Sequence, residues 1–161
     1  VEEIGADALR FIFASKKSDT SLEFDLAEFK KQDSSNPIFY IQYAHARINT
    51  IVSKSTMTKE EILASQLQGL DESADSLLFD ALLLPEVIED AFNSRQVQKL
   101  TDYLKSLAAS LHKFYYDCRI IGNEDEAKLL KMFMLVALSL KTGLSILGIE
   151  AVEKMSREEE I

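Results

Sequence analysis

Four side chains fall along one line of a single helical stretch: Tyr40, Tyr43, Arg47 and Lys54, with Thr50 between the last two. Phenol rings stack on unpaired bases, a guanidinium both stacks and donates several hydrogen bonds, and an ammonium neutralises a phosphate. His112, Tyr115 and Arg119 repeat these types at spacings of three and four. Two helices packed side by side would merge the sets into one aromatic and cationic shelf. Each base stacked on an aromatic ring is worth about 1–3 kcal/mol. The same tyrosines would serve as the amphipathic edge of a core seam, and residue types alone leave both readings open.

Catalytic constellations are missing. His45 and His112 lie on different helices with no cysteine or carboxylate at metal-ligand spacing, which argues against zinc. His45 shares a heptad line with Ile38 and Val52 and reads as a half-buried, hydrogen-bonding histidine. Cys118 sits in an apolar seam and reads as core rather than nucleophile. No Gly-rich phosphate loop and no G-x-S-x-G is present. The chain alone is expected to catalyse nothing and to need no cofactor.

The elements that must position these residues are helices. Asn36 caps and Pro37 opens a helix running to Lys54, whose Ile41, Ala44, Ile48 and Ile51 form a core stripe. The Tyr40–Lys54 line lies roughly 100° round the cylinder from that stripe. The second long element spans Gln96 to Ile121. Its seam of Val97, Leu100, Leu104, Leu107, Leu111, Phe114, Cys118 and Ile121 fits an intramolecular bundle, or alternatively a coiled-coil dimer. Around these, helices are expected over Glu2–Ala14, Leu26–Gln32, from a Thr58–Glu61 capping box to Gln68 before Gly69, and over Ser73–Leu84. Pro85 opens a short helix with Val87, Ile88 and Phe92 facing inward. Asn123 and Glu126 cap a last, central helix that is apolar nearly all round from Met132 to Leu138 and closes at Gly143. Leu22 and Phe24 alternate with acids and suggest a short extended piece; Leu144 to Ile149 packs back as an apolar tail. The fold class is an all-α bundle.

Composition agrees. The 161 residues carry 47% hydrophobic and 28% charged side chains, with only five Gly and two Pro, too few for a turn-rich β fold. One cysteine excludes an internal disulfide framework and suits a reducing compartment. The apolar run Met132–Leu140 is about half the ~20 residues that span a bilayer, and Val1 opens no visible signal peptide; neither membrane nor secretion is expected. The net charge of −9 is unevenly spread. Residues 60–92 hold nine acids and no Lys or Arg, residues 36–59 hold Arg47, Lys54 and Lys59 with no acid, and residues 93–119 balance at 5 − 2 = +3. That segregation would orient a polyanion, although ordinary solvated helix faces would give it too.

One string narrows the choice. Asn36-Pro37-Ile38-Phe39-Tyr40-Ile41-Gln42-Tyr43-Ala44-His45-Ala46-Arg47 resembles the N-P-x-x-Y-x-Q-Y-A-H-A-R signature of the arginyl-tRNA synthetases, class I enzymes. Gly5-Ala6-Asp7-Ala8-Leu9-Arg10 is similar to the segment that follows that family's catalytic core, and Ser18-Asp19 through Leu22-Glu23-Phe24-Asp25 to its connecting loop. Lys113-Phe114-Tyr115-Tyr116-Asp117-Cys118-Arg119 and Gly143-Leu144-Ser145-Ile146-Leu147-Gly148 resemble two later motifs. The likeness runs from Val1 to about Met155.

The resemblance implies an all-helical anticodon-binding domain, with residues 1–35 following the catalytic core and residues 36–161 forming the bundle. It implies that Tyr40, Tyr43 and Arg47 contact the anticodon loop of an arginine tRNA, helped by Tyr115, Arg119 and Met155, with Lys54 on the same face. The family chain often ends near Met155, whereas here Ser156 to Ile161 continue. Nothing resembles the family's H-I-G-H motif, and Lys154-Met155-Ser156-Arg157 mimics its other ATP motif by chance. ATP and arginine transfer would therefore belong to a full-length, cytoplasmic and monomeric enzyme. The rival reading is a helical protein-interaction scaffold that dimerises through the Val97–Ile121 seam.

Overall fold

The computed structural model describes residues 4–17, 21 and 24–155. Eight α-helices and no strand occur among them: α1 (Gly5–Ala14), α2 (Leu26–Phe29), α3 (Pro37–Lys54), α4 (Lys59–Ala64), α5 (Glu72–Leu82), α6 (Leu84–Ser94), α7 (Gln98–Asp117) and α8 (Glu126–Ile146). The bundle is all-α, as the periodicity requires. Most of the extended piece expected at Leu22–Phe24, and the tail Ser156–Ile161, fall outside the described residues.

Local chemistry sets the start of α3. The Asn36 Oδ1 accepts from the backbone N–H of Ile38 and Phe39 at 3.2 and 3.3 Å. Its Nδ2 donates to the Phe29 and Lys31 carbonyls at 3.0 and 2.8 Å, tying α2 to the helix entry. One buried amide thus satisfies four backbone groups that would otherwise be orphaned at the junction. The Thr58–Glu61 capping box opens α4 in both directions.

The α8 helix, at 21 residues, is one longer than α7, and it packs against α3, α4, α5 and α7. By length and composition it could cross a membrane, but those four neighbours make it the spine of the bundle. Leu130, Met132, Phe133, Val136, Leu140 and Leu144 are all sealed from solvent. From the other side come Ile41, Ala44 and Ile48 of α3 and Leu104, Leu107 and Leu111 of α7. Each fully buried aliphatic side chain of this kind stabilises by roughly 1.5–3 kcal/mol. Ala8 and Phe11 of α1 enter the same core.

Several expectations require correction. Gly143 does not close α8: it lies inside the helix, where a Cβ would sit 2.7 Å from Leu104 Cδ2. Its role is close approach of α7, and the stop comes at Leu147 and the left-handed Gly148. Gly69 likewise ends nothing, because α4 stops at Ala64 and turns through Ser65, whose hydroxyl bonds the Ile62 and Ala127 carbonyls. Phe92 is 81% exposed rather than inward, while Val87 and Ile88 do pack on the core. Helix α7 ends at Asp117, so Cys118 and Ile121 leave the helical seam, and Val97 is exposed. At the start of α8, Asn123 accepts from the Asp125 N–H, whereas the Glu126 carboxylate bonds Gly122 N–H and the Ser55 hydroxyl. Those two bonds, Ser55 first, hold its carboxyl below the ordinary range. Between α6 and α7 the chain turns at Arg95 with φ 54°, a left-handed conformation normally given to Gly or Asn.

Candidate nucleic-acid interface

Helices α3 and α7 pack side by side and leave between them an open groove of about 960 Å³. All seven residues expected at the site line it: Tyr40, Tyr43, Arg47, Lys54, Tyr115, Arg119 and Met155. Phe39, Thr50, His112 and Tyr116 line it as well.

At its centre sits Arg47, whose guanidinium carbon lies 4.7 Å from the Tyr43 ring centroid and 4.7 Å from that of Tyr115. One face is given by its own helix, one turn back, and the other by α7. The fork donates from Nη1 to His112 Nδ1 at 3.0 Å and from Nη2 to the Tyr43 hydroxyl at 3.1 Å. Rings continue the stack outward: Phe39 lies parallel to Tyr43 at 5.9 Å, and His112 meets Tyr43 at 5.8 Å and Tyr40 at 4.4 Å. Tyr40, Tyr43 and Arg47 are all half-buried, neither interred in the bundle nor standing clear of it. Tyr40 is the most committed to packing, and burial pushes its phenol above the ordinary value, with Arg47 pulling the other way.

Toward the rim the side chains are wetter. Lys54 is exposed, Tyr115 is 39% exposed and Tyr116 90%. Arg119 is exposed, lines the groove and donates its Nε to the Ile121 carbonyl at 3.0 Å. Cys118 also lines the groove, but burial pushes its thiol up, so it is a poor nucleophile. Among the described residues one carboxylate lines the groove, that of Asp33, held below its usual range by the hydroxyl and N–H of Ser35. Elsewhere the basic surplus of α7 is partly neutralised: Lys99 pairs with Asp90 of α6 at 2.7 Å and Lys105 with Asp102 at 2.8 Å.

Met155 reaches the groove because α3 holds the segment after α8. Gln42 Nε2 donates to the Glu150 carbonyl at 2.9 Å and His45 Nδ1 to the Val152 carbonyl at 2.9 Å. His45 is only 3% exposed, deeper than its sequence pattern suggests. Phe39 and Tyr116 were not singled out from sequence. Phe39 precedes Tyr43 by one helical turn, which places both on one face. For Tyr116 no spacing would have served, because neighbours in a helix point about 100° apart and Tyr115 already faced the groove.

Residues 41–155 match the model of the DALR anticodon binding domain. The chain belongs to the DALR anticodon-binding domain family. An arginine–tRNA ligase of Sulfurimonas denitrificans is 78% identical over 160 residues, which are 99% of this chain and 30% of that protein. One from Campylobacter curvus is 61% identical over 96% of this chain and 29% of its own length. The arginyl-tRNA synthetase structure of Thermus thermophilus superposes with a TM-score of 0.76 at 29% identity, over 92% of this chain and 26% of that one. The chain thus spans about a third of the length of the relatives it matches, and its DALR fold is the all-helical one expected. Among the described residues no cluster of His, Cys, Asp or Glu could hold a metal.

Proposed function

We propose that this DALR domain is the tRNA-recognising part of an arginine–tRNA ligase, and that the α3–α7 groove receives the single-stranded anticodon loop of an arginine tRNA. One observation carries the reading. A guanidinium stacked between two tyrosines from different helices sits in an open groove rimmed by Lys54, Arg119 and an exposed tyrosine. Unpaired bases are captured by such planes and their phosphates by such cations. Tyr115, Tyr116 and Met155 offer base-sized apolar surface, while Lys54 and Arg119 suit phosphates. ATP-dependent joining of arginine would lie in the remaining part of a longer, cytoplasmic enzyme, to which this domain would be attached; the domain itself would use no cofactor and act as a monomer. The seam that a dimerising scaffold would need is spent inside the bundle, where Leu100, Leu104, Leu107, Leu111 and Phe114 are buried.

Titration with an arginine tRNA transcript, against one changed only in its anticodon, tests the reading. Tighter binding of the first, weakening steeply as salt rises, is the expected result. Equal affinity for both, or a salt-insensitive dimer in sedimentation, would overturn it.

A further inference from the structure

Arg47 can only donate hydrogen bonds, yet it points Nη1 at a ring nitrogen of His112 at 3.0 Å. That nitrogen, Nδ1, must therefore be unprotonated and accepting. The ring's other nitrogen, Nε2, lies 3.3 Å from the Tyr40 backbone carbonyl, which can only accept. The two contacts admit one state: a neutral imidazole with its proton on Nε2. A doubly protonated ring would set an N–H and a second positive charge against the guanidinium, and the opposite tautomer would set two donors and two acceptors face to face.

Resting on the RNA-binding reading above, we propose that His112 is the positioning residue of the groove. As a neutral, Nε2-protonated acceptor it locks the Arg47 guanidinium between Tyr43 and Tyr115. Two of the five N–H groups of Arg47 are taken by His112 and Tyr43, and no other group among the described residues takes the remaining three. A pre-ordered side chain spends less rotamer entropy on binding. His112 also joins the helices: it stands on α7, while Arg47, Tyr40 and Tyr43 stand on α3. A ring that only filled space between α3 and α7 could be replaced by phenylalanine; an acceptor could not.

Three measurements on the full chain, with an arginine tRNA transcript as the probe, test this. His112→Phe keeps the ring and removes the acceptor, and is expected to weaken binding about tenfold, or about 1.4 kcal/mol. His112→Asn, whose Oδ1 takes the place of Nδ1, is expected to recover most of that loss. Once Arg47 is replaced by Ala, His112→Phe should cost nothing more, because the two act as one unit. His112→Phe binding as tightly as the native chain, or an additive loss in the Arg47→Ala background, overturns the inference. Nitrogen-resolved NMR of the unsubstituted chain at neutral pH needs no variant to fold: an unprotonated Nδ1 is expected, and a protonated one overturns it. Lys54→Ala and Arg119→Ala, which leave the contacts of His112 with Arg47, Tyr40 and Tyr43 in place, separate the two readings. Unchanged binding in both of these and in Arg47→Ala defeats the RNA reading itself; weakened binding there with native affinity in His112→Phe defeats only the role of His112.

Discussion

Replacing Arg47 by lysine separates shape from charge at the centre of the groove. Lysine keeps the positive charge but lacks the planar fork, so it can face one ring where arginine faces both Tyr43 and Tyr115 at 4.7 Å. Losing one cation–π contact at a half-exposed site costs about 0.5–1 kcal/mol. Of the two hydrogen bonds, to His112 Nδ1 and the Tyr43 hydroxyl, an ammonium at that reach keeps one, for a further ~1 kcal/mol. Stability should therefore fall by about 1.5–2 kcal/mol. Affinity for tRNA should fall as well, because the side chain must now be ordered on binding at about 0.5–1.5 kcal/mol, or roughly 2- to 13-fold. The charge count is unchanged, so the slope of log affinity against log salt should stay at its native value. Lys54→Ala is the contrast: its exposed ammonium suits a phosphate, and its loss should reduce that slope by about 0.7. Fluorescence anisotropy at several salt concentrations, with urea unfolding alongside, measures both. Native affinity and stability in Arg47→Lys, or a slope reduced as much as in Lys54→Ala, would refute the stacked-guanidinium argument.

Asn36→Asp keeps the cap acceptors but turns a donor into an anionic oxygen beside the Phe29 and Lys31 carbonyls. Even after the gain of a carboxylate at a helix N-terminus, it should destabilise by about 2 kcal/mol; a urea midpoint at or above the native one contradicts this. Gly143→Val would drive a branched side chain into Leu104, whose Cδ2 already lies 2.7 Å from a Cβ position. A loss of about 3 kcal/mol is expected from overpacking, read as a lowered melting temperature. Tyr103 donates its hydroxyl to the Asp80 and Ala81 carbonyls, and burial pushes its phenol up to about 12. Its folded value lies above its ordinary 10, so its contribution to stability is complete below pH 10 and is lost as the pH rises through 12. Ultraviolet difference titration should show a tyrosine ionising at about pH 12, absent in Tyr103→Phe.

The apolar period of three and four residues set out α3 and the buried middle of α7, and capping chemistry placed the entries of α3 and α4, because both signals act within a few residues. The same locality explains the failures. Gly143 and Gly69 look alike as helix stops, but only contact with Leu104, distant in the chain, reveals the first as a packing glycine, and α4 stops before the second through a Ser65 bond to α8. Phe92 continues an inward stripe by spacing, yet α6 lies at the edge of the bundle and leaves it in solvent.

At the groove the division is similar. The line of Tyr40, Tyr43, Arg47 and Lys54 was legible because helical spacing forces those side chains to one side of α3. Residue types also marked Tyr115 and Arg119 as partners. Packing alone decided that Tyr115 closes over the second face of Arg47, that His112 accepts its hydrogen bond, and that Gln42 and His45 hold the segment bringing Met155 to the groove. Sequence fixes which face of a helix a residue takes, since that depends only on its neighbours along the chain. What the face meets depends on how two helices cross, and that is settled by the whole core at once.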